Sequence, residues 1–133
     1  MTSIAVKAGP TIVGENRAWL QSQHGADAGA NPSVTLDVAA FTKATHYPDG
    51  FVPSGTVLGK ITATGRYGPY DNAATDGRGV AAGFLYGSLV VDGLAKVGGA
   101  LVVHGFVDAA RLPANSGLDA NARTDLSHVI FAN

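Results

Sequence analysis

The chain has no cysteine, one tryptophan (Trp19), one glutamate (Glu15) and few charges of either sign. Without cysteine, disulfides and thiolate metal sites are excluded. Charged residues make up 14% of the 133 positions, where an ordinary soluble domain carries about 25%. A net charge of -1 gives no pull toward nucleic acid or an anionic membrane. No apolar run approaches the roughly 18 residues that a membrane helix needs. The opening stretch, MTSIAVKAGPTIVGENR, lacks the long apolar core of a secretory signal. The expectation is a soluble protein made in a cytoplasm.

Glycine is what the chain has instead, at 18 of 133 positions, nearly twice the usual share of about 7%. Glycine with low charge can mean disorder, but 46% hydrophobic residues argue for a core. The combination implies a turn-rich β protein. Its length suits one domain, which buries about two thirds of its extended surface on folding. A small surface with so few charges is expected to lie partly against other chains, in an oligomer or a larger assembly.

Residues 1–32 read as an extended arm, because apolar residues are sparse there and separated by Gly, Pro, Asn and Ser. Ile4 and Val6 alternate, and Ile12 lies between Thr11 and Val13, so short extended pieces are expected. Residues 25–32 resemble a linker. An arm of this kind frays alone, so either a neighbouring chain holds it or it folds back on its own domain. Trp19 fits both pictures, as an anchor in a neighbour's pocket or as a lid on its own β core. If the arm is separate, removing residues 2–20 leaves a folded core.

From residue 33 the pattern is a domain. Val34, Leu36 and Val38 alternate with polar residues as in a half-buried strand. His46–Gly50 and Pro53–Gly55 are turn-rich. Val57–Ile61 reads as a strand, residues 67–72 as a loop, and Thr75-Asp76-Gly77 as a tight turn. Val80–Leu85 is a nearly continuous apolar run, expected for a strand covered on both faces. Leu89–Val97 places two β-prone arms around Asp92-Gly93, a strong hairpin signal. Gly98-Gly99 suggests another turn before a strand at Ala100–Val103, with Phe106-Val107 resuming after His104-Gly105. One helix is predicted, over about residues 117–127, from Leu118, Ala122 and Leu126 at four-residue spacing. Ser116 or Asn115 would cap it. Val129–Phe131 is a terminal strand. The fold class expected is mainly β, α+β with one short C-terminal helix: a compact domain over 33–133 behind an arm over 1–32.

Little here suits catalysis. The four histidines (His24, His46, His104, His128) show no zinc spacing. There is no Gly-x-Ser-x-Gly elbow, and nearly every aspartate sits beside a turn signal. Residues 75–79 lack the helix that a phosphate cradle requires. Tyr67 and Tyr70 flank Gly68-Pro69, either as contact residues on a rigid loop or as packing of the domain itself. Arg78 reads as a surface residue or a partner across a subunit interface.

The stretch from Pro53 to Leu85 resembles the lambda-type head decoration proteins of tailed bacteriophages. The similarity lies in the strand entry Pro53, Thr56, Leu58, the turn Thr75-Asp76-Gly77, and Ala81, Gly83, Leu85. Leu112-Pro113, the short helix and Val129–Phe131 extend it over residues 52–133. The resemblance implies a non-enzymatic capsid protein with no cofactor and no metal. It would add as homotrimers to the outer surface of the phage head and clamp the shell against DNA pressure. The implied partners are the major capsid protein and copies of itself, not nucleic acid or membrane. It also implies an arm that orders on binding the capsid protein, for which Ile4, Val6, Ile12 and Trp19 are the candidates. Tyr67, Tyr70 and Arg78 are candidates for contacts between copies. A small β-rich carbohydrate- or receptor-binding module shares the same composition and is the alternative. A small hydrolase has only scattered Asp and His in its favour.

Overall fold

A computed structural model describes residues 15–22 and 31–131. Ile4, Val6, Ile12, His24 and residues 25–30 of the linker-like stretch lie outside the described residues. In chain order the elements are β1 (Ser33–Asp37), α1 (Lys43–His46), β2 (Phe51–Val52), β3 (Val57–Lys60), β4 (Tyr67–Pro69), β5 (Gly83–Leu85), β6 (Leu89–Val90), β7 (Lys96–Val102), β8 (Gly105–Val107), α2 (Ala120–Asp125) and β9 (Val129–Phe131). The fold is the β-rich class expected, with short helices.

Five strands close a barrel in the order β1-β4-β3-β5-β7. Every seam is antiparallel except β1–β4, a parallel contact at Leu36 and Tyr67. Two small sheets flank it: β2 with β6, antiparallel, and β8 with β9, parallel.

β3, β5 and the C-terminal end of β7 are buried on both faces because they lie between two cores. Successive side chains of a strand point to opposite faces. On β3, Leu58 enters one cluster and Val57 the other; on β5, Leu85 and Phe84 divide in the same way, and on β7, Leu101 and Val102. The first cluster, with Val34, Leu36, Val38, Phe41, Val52 and Val91, includes barrel residues from β1, β3, β5 and β7. The second joins Val57, Phe84 and Val102 to Trp19, Val107, Ala122, Leu126 and Val129. It thus packs strand faces against α2 and the β8–β9 sheet. Each large aliphatic buried in either cluster stabilises the fold by about 1.5–3 kcal/mol.

Several local expectations are overridden by this packing. The turn at Asp92-Gly93 forms, with Gly93 at φ +79° and Leu94 N–H donating to Val91 C=O at 2.9 Å. Its arms do not pair with each other: β6 joins β2, and β7 joins β1 and β5. Burial of Val91 in the barrel cluster and five register pairs between β1 and β7 outweigh the local hairpin. Gly98-Gly99 lies within β7, opposite Thr35 and Val34, and is not a turn. The strand expected at Val80–Leu85 begins only at Gly83, and Val80 is exposed. The C-terminal helix is shorter than expected, running Ala120–Asp125 with Asp119 as its cap; the Asp119 carboxylate accepts from Ala122 N–H at 2.8 Å. Ser116 instead accepts from Leu118 N–H, before the helix. A second helix, α1, and two 3-10 turns at Val38–Ala40 and Ala109–Arg111 were not read from the sequence.

Candidate functional site

Residues 15–22, assigned to the arm by composition, are built into the domain. Trp19 is fully buried, its ring tilted against Phe84 at a centroid distance of 5.3 Å. Its indole N–H donates to Ser54 Oγ at 3.1 Å, and that hydroxyl donates onward to the Tyr86 carbonyl at 2.7 Å. The chain around it behaves as an extra strand beside β8. Leu20 bridges antiparallel to Val107, Gln21 N–H donates to Phe106 C=O, and Trp19 C=O accepts from Asp108 N–H.

A second layer of polar contacts holds the start of this segment. Glu15 accepts from Ser88 N–H at 2.7 Å, and Ser88 Oγ accepts from Ser54 N–H at 2.9 Å. The Arg17 guanidinium lies 4.6 Å over the Tyr86 ring and pairs with Glu15 at 3.5 Å. Gly55, at φ +95°, makes the close approach possible: a Cβ there would meet Pro113 Cδ at 2.8 Å and the indole nitrogen at 3.0 Å. Trp19 is therefore an internal anchor in this structure, the second of the two readings that the sequence left open. A core that lacks residues 15–20 would lose part of its own packing. The Pro-Ser-Gly turn was visible in the sequence, but Ser54 as the indole's partner 35 positions away was not.

The three residues expected between copies occupy another region. Tyr67 is half-buried on β4 and packs against the barrel cluster. Tyr70 is buried, and its hydroxyl donates to Asp119 at 2.9 Å. Burial, then the hydrogen bond to that carboxylate, pushes its pKa up to about 12. Tyr70 thus takes the packing role that the sequence left open beside a contact between copies. The structure does not bring Tyr67, Tyr70 and Arg78 together as an exposed patch.

Arg78 pins the Thr75-Asp76-Gly77 turn onto the barrel. Its Nε donates to both Asp76 oxygens, at 3.1 and 3.0 Å. The Arg78 backbone N–H also donates to that carboxylate, which accounts for a carboxyl held below the usual range, with the side chain adding to the effect. The loop lies flat because Gly59 and Gly68 have no side chains: a Cβ on Gly59 would meet the Arg78 backbone at 2.7 Å, and one on Gly68 the Arg78 Cδ at 2.8 Å. Gly77 sits at φ +113°, a conformation that side-chain-bearing residues rarely adopt. His46 lies half-buried beside the aromatic ring of Phe41, its Nδ1 accepting from Thr42 N–H at 2.8 Å. Burial, and secondarily the Arg78 charge, lowers its pKa and favours the neutral ring. Among the described residues, no group of three or more His, Asp or Glu side chains is placed to hold a metal ion.

The geometry is thus a small double-cored β body whose N-terminal segment leaves from a fixed point at Glu15. No curated protein matches the chain. The sequence matches the family described as bacteriophage lambda head decoration protein D over residues 27–128, a span that takes in the barrel cluster, the Arg78 loop, α2 and the second core apart from Trp19 and Val129. The chain belongs to the family of the bacteriophage lambda head decoration protein D.

Proposed function

We propose that this protein binds the outside of an assembled phage head as homotrimers and clamps the major capsid protein against the pressure of packaged DNA. Membership of the head decoration family over residues 27–128 is the observation that carries this reading. The anchored N-terminal segment supports it. Ile4, Val6 and Ile12 would meet the capsid protein by adding a strand to a sheet edge, where backbone hydrogen bonds supply affinity and alternate side chains fill pockets. Ordering such an arm costs roughly 1–2 kcal/mol per residue in backbone entropy. Residues 15–22 are already packed, so that cost falls only on what precedes them. Trp19 serves as the root through which the arm is joined to the core, and exposed parts of Tyr67 and Arg78 remain available to neighbouring copies.

The test is cosedimentation with undecorated heads. A variant lacking residues 2–14 is expected to stay folded and to lose binding; full binding by that variant would refute the arm's role. Sedimentation equilibrium of the full chain is expected to give a trimer, and a monomer at micromolar concentration would remove that part of the reading.

A further inference from the structure

An aspartate followed by glycine can react with its own backbone, because a glycine amide carries no side chain to hinder its approach to the neighbouring carboxyl. The chain has three such steps, Asp49-Gly50, Asp76-Gly77 and Asp92-Gly93, and the fold treats them differently. We infer that Asp92-Gly93 is a self-modification site of the folded protein, at which aspartate rearranges to isoaspartate, while the fold shields the other two steps from the same reaction.

At Asp49-Gly50 the nucleophile is occupied. Gly50 is buried, its N–H donates to Tyr47 C=O at 3.0 Å, and its C=O accepts from the Val91 and Asp92 N–H groups. Swinging that amide toward the Asp49 carboxyl would break the turn that joins α1 to β2. At Asp76-Gly77 the carboxyl is occupied. Both of its oxygens accept from Arg78 Nε, and one also accepts from the Arg78 N–H at 3.2 Å. These contacts favour the ionised form, whereas ring closure consumes the protonated one. Gly77 also lies against Lys60 C=O and Thr62, which leaves its peptide little room to rotate.

At Asp92-Gly93 neither constraint applies. Both residues are exposed, and a Cβ on Gly93 would meet nothing within 4 Å. Leu94 N–H closes the turn by donating to Val91 C=O at 2.9 Å, and the Gly93 N–H between them donates to no group among the described residues. The Asp92 carboxylate meets Lys43 Nζ at 3.3 Å, with both side chains more than half exposed. An exposed pair of this kind is weak, so it does not hold the carboxylate away from the amide.

The reaction balances without a co-reactant other than water. Gly93 N bonds to Asp92 Cγ, and the amide proton and a carboxyl hydroxyl leave as water, which gives a succinimide. Water then adds to one of the two ring carbonyls. Opening at Cγ restores aspartate; opening at the Asp92 backbone carbonyl carbon leaves the chain running through Cβ with a free α-carboxylate. Nothing is oxidised or reduced. Val91 is buried and Ala95 C=O accepts from Val38 N–H at 3.1 Å, so the added backbone carbon stays within the turn and the body stays folded.

The test ages the full chain in warm neutral buffer over several weeks, once folded and once in urea. Trypsin places the three steps in separate peptides, residues 44–60, 67–78 and 79–96. Chromatography resolves each isoaspartyl form, and methyl transfer by an isoaspartyl methyltransferase identifies it. In the folded protein the 79–96 peptide is expected to isomerise at least about tenfold faster than the other two, which react only through local opening. In urea the three rates should converge. Asp92→Glu keeps the charge beside Lys43 but would need a larger, slower-forming ring, so it should remove most of the isoaspartate formed in the folded state. Equal rates at the three steps in the folded protein would overturn the inference. So would a folded 79–96 peptide that stays unchanged while its urea counterpart reacts, or circular dichroism showing that unfolding precedes isomerisation. None of these outcomes depends on binding to a phage head.

Discussion

Replacing Trp19 by alanine tests whether residues 15–22 belong to the folded body. The indole is completely enclosed and lies against Phe84. A tryptophan buries about 150–250 Å², which at about 25 cal/mol per Å² amounts to roughly 4–6 kcal/mol as an upper estimate. Measured truncations of large aromatics to alanine cost about 3–5 kcal/mol. Ser54 Oγ also loses the indole donor at 3.1 Å while keeping its own bond to Tyr86 C=O, a loss of about 1 kcal/mol. The expected destabilisation is about 4–6 kcal/mol, a large share of the 5–15 kcal/mol that holds a typical domain. For a chain of this length the midpoint of thermal unfolding should fall on the order of 15–20 °C. The assay is urea unfolding of the full chain followed by far-ultraviolet circular dichroism, since the only tryptophan is removed. Trp19→Phe keeps an aromatic ring in place and should cost less than half as much. Removing residues 2–14 should leave the midpoint nearly unchanged, whereas removing 2–20 should unfold or severely weaken the core, contrary to the expectation from composition. A Trp19→Ala variant within about 1 kcal/mol of the parent would show that the indole does not complete the core and would refute this reasoning.

Three other outcomes are expected. The Tyr70 hydroxyl has its pKa raised from 10.0 to about 12, so the folded state holds this proton more tightly than the unfolded chain. Its contribution to stability is full below pH 10 and is lost as pH rises toward 12; urea titrations across that window should show the decline, and Tyr70→Phe should abolish this part of it. The Asp76 carboxyl lies below its ordinary value, so its contribution is present above the usual carboxylate range and is lost as pH falls through the folded value. Hydrogen exchange at Thr62 N–H, which donates to Asp76 C=O, should accelerate beyond its intrinsic rate only on the acid side, and protection unchanged down to pH 2 would contradict the Arg78 clamp. Gly59→Ala must displace the Arg78 backbone, whereas a Cβ on Gly98 meets nothing within 4 Å. Thermal melts should show a loss of at least about 2 kcal/mol for the first and little change for the second.

The two-sided apolar runs, the turn at Asp92-Gly93, the terminal strand and the membership of the head decoration family were legible in the sequence because each depends on residues close together in the chain. Partner choice was not. Leu89–Val97 carries every local mark of a hairpin, yet its arms go to different strands, because the β1–β7 ladder and burial of Val91 are long-range gains that no local pattern encodes. Glycine misled for a related reason: Gly98-Gly99 turns nothing, and Gly59 and Gly68 are small because a loop ten or more residues away lies on them.

The amino-acid sequence alone determined that this is a glycine-rich β protein with little charged surface and no thiol chemistry, since composition and short-range periodicity depend only on neighbouring residues. The tertiary structure decided how residues 15–22 are packed. Trp19 sits among residues that composition assigns to an arm, and only the pocket made by Ser54, Gly55, Phe84 and Val107, brought together from three distant stretches of chain, turns that residue from a contact for others into part of the protein's own core.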